Sequence, residues 1–172
     1  MTLPELAKLA VETYINEGKI ISLPNNLPKE FLNKKAGVFV TIEKQGQLRG
    51  CIGTYLSTRK NIAEEIIFNA VAAATQDYRF ESIDEKELIS LKYTVYILSE
   101  PEPIKDIKTL NPRKFGIIVK THSLPVKCGL LLPDLDGINT VEQQIQICCQ
   151  KDGIELNSEK ILIFKFTAEK YQ

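Results

Sequence analysis

The chain has 172 residues, of which 22 are basic and 22 acidic, 44% hydrophobic and 26% charged. That length and composition fit one globular domain, or one domain with a small lobe, large enough to fold without a disulfide or metal staple. A formal net charge of zero argues against a chain-wide attraction to nucleic acid or anionic lipid.

The opening MTLPELAKLAVETYINEG contains acids and no leader-like apolar core. No run approaches about 18 apolar residues, so no spanning helix is expected. Leu3, Leu6, Leu9, Ala10 and Tyr14 recur at helical spacing. Thr2 with Glu5 forms a capping-box pattern, Pro4 sits in the first turn and Gly18 ends the helix. NNLPKEFLNKK reads as a connector with one short turn. AGVFVTIEK then reads as a strand with Val38, Val40 and Ile42 on one face, and LRGCIGTY returns beside it after a turn at QGQ.

STRKNIAEEIIFNAVAAATQD is the clearest helix, with a cap at Asn61 and Glu64 and a stripe through Ile62, Ile66, Ala70 and Ala73. DEKEL reads as one helical turn from Asp84, and LKYTVYILS as a strand that EPEPI ends. FGIIVKT and CGLLLP pair as a hairpin. GINTVEQQIQICCQKDGI is a helix capped by Asn139 or Thr140 and ended by Gly153, and KILIFKFTA is the last strand. Hairpins with interspersed helices predict an α+β fold, a largely antiparallel β-sheet flanked by helices with a smaller lobe, as a single domain over 1–172.

The candidate chemistry lies in LRGCIG. On regular alternation Arg49, Cys51 and Gly53 share one face, which brings a guanidinium toward the Cys51 sulfur and leaves room beside it at Gly53. A nearby cation favours thiolate, and such a pocket floor suits an anionic or carbonyl-bearing small molecule. The competing reading makes Gly50 and Gly53 a bulge and Cys51 a small core residue. In QDYRF, Asp77 and Arg79 share a side if the helix exit is extended, so Arg79 can hold an anion while Asp77 orients an arginine or acts as a base. The alternative is a charge cluster at a helix end with Phe80 as an anchor.

Elsewhere the signals are weaker. Asp134 and Asp136 lie in a loop, where acids more often start turns than bind metal. His122 is the only histidine, and the spacing of Cys51, Cys128, Cys148 and Cys149 matches no zinc pattern. Cys148 and Cys149 point about 100° apart on a helix, so one is expected buried and the other partly exposed. No phosphate loop, nucleophile elbow or H-E-x-x-H motif occurs, and neither a metal nor a cofactor is expected. A cytoplasmic chain with reduced thiols is the simplest setting.

GVFVTIEKQGQLRGCIGTY, AVAAATQDYRFESIDEKEL, ILSEPEPI and GLLLPDLDGINTVEQQIQICCQKDGI together resemble the AMMECR domain family over nearly the whole chain. The later blocks most resemble its prokaryotic branch, AmmeMemoRadiSam system protein A. The resemblance implies an α+β domain with an antiparallel sheet and smaller lobe, with the signature residues lining a cleft. It also implies a Memo-like protein and a radical S-adenosylmethionine protein as partners, and hands over no reaction. Carried onto this sequence, the signature is Leu48 to Gly53 with Asp77, Arg79 and Phe80. Two positions depart: Tyr78 stands where proline is frequent, and Thr94 where an acid is common.

Three functions follow as expectations. The first is a ligand-binding cleft, with Arg49 and Arg79 as anion clamps, serving a radical S-adenosylmethionine partner. The second is an enzyme or enzyme subunit using Cys51 as an activated thiol nucleophile. The third is an RNA-associated modification factor, disfavoured by the charge balance and by the absence of an aromatic–basic stripe.

Overall fold

The first helix starts where the sequence places its cap. Thr2 and Glu5 close a full capping box, α1 runs Leu3–Glu17, and Gly18 ends it in the left-handed region at φ 70°. This is a computed structural model, and it describes residues 1–156 and 158–172. The connector carries a short helix, α2 (Lys29–Asn33). The hairpin follows as β1 (Val38–Lys44) and β2 (Gln47–Thr54). Helix α3 spans Ile62–Thr75 under an Asn61 cap, and the Glu64 carboxylate accepts from the Lys60 N–H rather than closing the box. A 3-10 turn over Glu85–Ser90, capped by Asp84, leads into β3 (Leu91–Leu98).

The chain divides into two units, Met1–Leu98 with Glu169–Gln172, and Ser99–Ala168. The first is built on a four-stranded sheet in the order β2-β1-β3-β8, where β8 is Ala168–Tyr171. β1 lies antiparallel between β2 and β3. Val38, Val40 and Ile42 are fully buried against Leu6, Ala10, Ile66 and Ala70 of α1 and α3. The alanine-rich face lets α3 approach closely, and Asn69 Nδ2 ties it to the Val38 carbonyl at 3.0 Å.

The second unit has its own antiparallel sheet in the order β4-β7-β5-β6. Its strands are β4 (Glu102–Pro103), β5 (Gly116–Thr121), β6 (Cys128–Leu131) and β7 (Ile161–Phe166). EPEPI thus ends β3 and also supplies an edge strand, a position that tolerates proline because no ladder donor is needed there. Helix α4 (Val141–Lys151), boxed by Thr140 and Gln143, packs Cys148 and Cys149 into a core with Ile117, Val119 and Leu131. Both cysteines are buried, against the expectation that one would be partly exposed: the chain folds back after α4, with the Ile154 N–H donating to the Cys149 carbonyl, and covers the second thiol. Burial pushes the Cys148 thiol up to about 12 and raises that of Cys149.

The α+β class and antiparallel pairing agree with the sequence, while the strands form two sheets of four rather than one. Among the described residues, no helix is long and apolar enough to cross a membrane.

Candidate functional site

The edge strand β2 carries a bulge at the motif. Ile42 pairs with Gly50 but Glu43 pairs with Leu48, which leaves Arg49 as the extra residue. Regular alternation therefore fails here. Cys51 and Gly53 share the face of Thr41 and Phe39, whereas Gly50 and Ile52 share the core face of Ile42 and Val40. Arg49 serves another purpose. Its Nε and Nη2 donate to the two carboxylate oxygens of Glu87 at 3.0 and 2.8 Å, and its Nη1 donates to the Glu81 carbonyl at 2.8 Å. Lys44 adds a second cation to Glu87 at 2.9 Å. The Arg49 hydrogen bond, opposed by burial and helped by Lys44, holds the Glu87 carboxyl at about 2.

The glycines serve close approach. A Cβ at Gly50 would overlap the Ala73 carbonyl of α3, so this residue lets helix and sheet meet backbone to backbone. A Cβ at Gly53 would overlap the Phe39 ring. The room expected beside Cys51 at Gly53 is therefore occupied by Phe39.

Asp77 does two jobs. Its Oδ2 accepts from the Cys51 N–H at 2.9 Å, satisfying a donor on an edge strand that has no strand beyond it. Both its oxygens also take Arg79, Nε to Oδ1 at 2.9 Å and Nη2 to Oδ2 at 2.6 Å, and Oδ1 accepts from the Arg79 N–H at 3.2 Å. The Arg79 hydrogen bond, against burial and with the Cys51 N–H, lowers the Asp77 carboxyl to about 2. A carboxylate so held is a weak proton acceptor at neutral pH, and its geometry is that of an orienter.

Arg79 is the cation that this arrangement presents. Its side chain is 41% exposed while that of Asp77 is 3% exposed. Its pKa is raised by the Asp77 hydrogen bond first, with smaller contributions from the charges of Asp77 and Cys51. Phe80 lies beside both guanidiniums, with the carbons of Arg79 and Arg49 at 5.4 and 6.0 Å from the ring centre. Tyr78 is almost fully exposed.

From Cys51 a polar row crosses the sheet. Cys51 Sγ lies 3.3 Å from Thr41 Oγ1, Thr41 is in register with Thr94, and Gln172 Nε2 donates to Thr94 Oγ1 at 3.5 Å. With Nε and Nη2 of Arg79 donating to Asp77, Nη1 and the second Nη2 proton of this half-exposed cation are the donors left to receive an anion or a polarised carbonyl.

The other sequence candidates fall outside this grouping. His122 and Asp134 belong to the second unit, and Asp134 pairs with Arg113 at 3.1 Å on its surface. Among the described residues, no three His, Cys, Asp or Glu side chains are placed to hold a metal.

Two acids escaped the sequence reading. Glu87 is one, visible only as the third residue of a capping box on Asp84. Glu65 is the other, a buried carboxylate on α3. It accepts at 2.8 Å from Thr54 Oγ1, Thr58 N–H, Thr58 Oγ1 and Arg59 N–H. Burial opposes its ionisation, but these donors outweigh it and the pKa is lowered. Three hydroxyl residues within five positions of one another, just before a helix with an acid in its first turn, were the available signal.

The family model described as AMMECR1 matches residues 4–171. A Thermotoga maritima protein is 46% identical over 163 residues, covering 94% of this chain and 92% of its own. A Clostridium acetobutylicum protein is 41% identical over 98% of this chain, which spans only 35% of that longer relative. Among solved structures, an uncharacterized protein from Pyrococcus horikoshii superposes with a TM-score of 0.87 at 31% identity, covering 98% of this chain and 88% of the other.

Proposed function

The chain belongs to the AMMECR1 family, and from that premise we propose that it is a binding module whose β2 edge receives a small anionic or carbonyl-bearing ligand in support of a partner radical S-adenosylmethionine enzyme, alongside a Memo-like protein. The observation that carries this reading is Arg79: half-exposed, and held by a buried Asp77 whose carboxylate also accepts from the Cys51 N–H. An orienting acid beneath an exposed arginine spends its binding energy on geometry in advance. Arg49, with its donors committed to Glu87 and to backbone carbonyls, supports the loop beneath the site instead of clamping a ligand.

Pyruvate, which is both anion and carbonyl, is a suitable probe. Titrated into the full chain, it should shift the Arg79 Nε–H and Cys51 amide resonances saturably. Arg79→Ala should abolish the shift of the Cys51 amide, and Cys51→Ser should leave the shift of the Arg79 Nε–H. Absence of any shift at both positions sinks the reading.

One Asp77 oxygen accepts from both the Cys51 N–H and the Arg79 guanidinium, and the nearness of that cation to the cysteine also favours a second reading, in which Cys51 is an activated thiol nucleophile. Site-resolved alkylation against pH separates the two. Fast modification of Cys51 near neutral pH, slowed by Arg79→Ala, supports the nucleophile, whereas a rate unchanged by that substitution supports the wall of a binding site.

A further inference from the structure

Glu65 is a buried acid that the Arg79 site does not use. It lies in the first turn of α3, and its carboxylate fixes the loop between β2 and α3. Oε2 accepts from the N–H groups of Thr58 and Arg59, both at 2.8 Å, and Oε1 from the hydroxyls of Thr54 and Thr58. The backbone is thus set in advance although Thr58, Arg59 and Lys60 are exposed. From it the Arg59 guanidinium reaches over the ring of Phe68, one turn along the helix from Glu65, with its carbon 3.7 Å from the ring centre. Stacking occupies one face of a guanidinium and none of its in-plane N–H donors. Among the described residues, no acceptor takes the Nε or Nη donors of Arg59. The result is a flat, oriented fork with its donors unspent.

The charge around it is positive. The Ile62 N–H donates to the Lys34 carbonyl at 3.0 Å, which sets Lys34 and Lys35 beside the start of α3, just where Arg59 and Lys60 lead into it. Residues 29–35 and 58–65 together hold five cations, all exposed, and three acids. Of the acids, Glu65 is shut in by its donors, Glu64 accepts from the Lys60 N–H at 3.3 Å, and Glu30 is exposed on α2. The excess of positive charge is made by the fold, in a chain whose total is zero. Asn61 already caps the helix, so the cations and not the helix end supply the attraction.

We propose that Arg59 and the lysines beside it form a further anion site, for a phosphate monoester. A dianion with three free oxygens engages the Arg59 fork and a neighbouring lysine together, whereas a carboxylate engages the fork alone. The phosphate comes either from a small phosphoester or from a phosphorylated side chain of a partner polypeptide. Arg59 precedes α3 and Arg79 follows it, and a helix of 14 residues spans about 20 Å, so the two sites are tested separately.

The experiment titrates methyl phosphate into the full chain at constant ionic strength and slightly alkaline pH, where the probe is a dianion. The Arg59 Nε–H and Lys60 amide resonances should shift saturably, and acetate should bind about tenfold more weakly. Arg59→Ala, read at the Lys60 amide, should weaken methyl phosphate about tenfold, and Arg59→Lys should not repair the loss, because it restores the charge without the fork. Phe68→Leu, which frees the guanidinium from its ring, should weaken it about two- to fivefold. The tripeptide Ala-phosphoserine-Ala separates the sources: clearly tighter binding than methyl phosphate assigns a partner polypeptide, and equal binding a small phosphoester. Shifts that do not saturate overturn the proposal. So do equal affinities for acetate and methyl phosphate, an Arg59→Ala variant that binds as before, and full recovery in Arg59→Lys.

Discussion

Arg49–Glu87 and Arg79–Asp77 are the same chemical pair put to different uses. Both are forked contacts, with closest approaches of 2.8 and 2.6 Å. In the first, both side chains are 16% exposed, and the arginine's remaining donors go to backbone carbonyls. In the second, the acid is 3% exposed and the arginine 41%. The first pair is a fastener, joining the bulge of β2 to the 3-10 turn before β3. The second is a mount, with a buried acid that also holds the strand edge and a cation turned outward. An ion pair by itself does not reveal a site; the exposure of each partner and the donors left over do.

Removing the fastener should have the largest effect. Glu87→Ala leaves Arg49 shielded without its carboxylate and should cost about 3 kcal/mol of unfolding free energy in urea, with pyruvate shifts at Arg79 retained in the folded fraction. A stability change near zero would erase the distinction between the pairs. Gly50→Ala comes next, at about 2–3 kcal/mol, because the new methyl group meets backbone rather than a movable side chain. Asp77→Asn should cost about 1–2 kcal/mol, given the solvent around Arg79, and should also loosen Arg79, so that ligand shifts weaken. Arg79→Lys should be the mildest, changing stability by less than about 1 kcal/mol while losing the fork and hence the ligand response.

Acid should act on both pairs together. Each carboxyl is lowered on folding, Asp77 from 3.8 and Glu87 from 4.5, both to about 2. A lowered pKa contributes stability above the unfolded value, and that contribution is lost as pH falls through the folded value. Unfolding free energy should therefore decline from about pH 4.5 toward pH 2, and the double variant Asp77→Asn, Glu87→Ala should flatten that decline. A decline of unchanged steepness in the double variant would assign the acid sensitivity to other carboxylates.

Much of the fold was legible because its signals are local. The Thr2–Glu5 box, Gly18, the Asn61 cap and the alternation of Val38, Val40 and Ile42 each depend on residues a few positions apart. The site was legible as a set of residues and less so as an arrangement. Cys51, Asp77 and Arg79 do come together, through one N–H and one fork. The direction of Arg49 was not legible, since a one-residue bulge resets the alternation on which that reading rested. Glu87 was missed because its donors, Lys44 and Arg49, come from a hairpin that only the fold brings near, and Glu65 because its donors sit in the irregular stretch before its helix, where no periodicity marks them.

By itself the sequence determined the main helices, six of the strands and their antiparallel pairing, because periodicity and caps act within a few residues; it missed the two short strands β4 and β8, the second of which follows the strand read as the last. Only the tertiary structure decided which arginine meets which acid. That choice depends on the bulge at Arg49, on Phe39 filling the space over Gly53, and on the loop after α3 bringing Asp77 to the edge of β2. Those are contacts between segments tens of residues apart, and packing rather than local propensity selects among them.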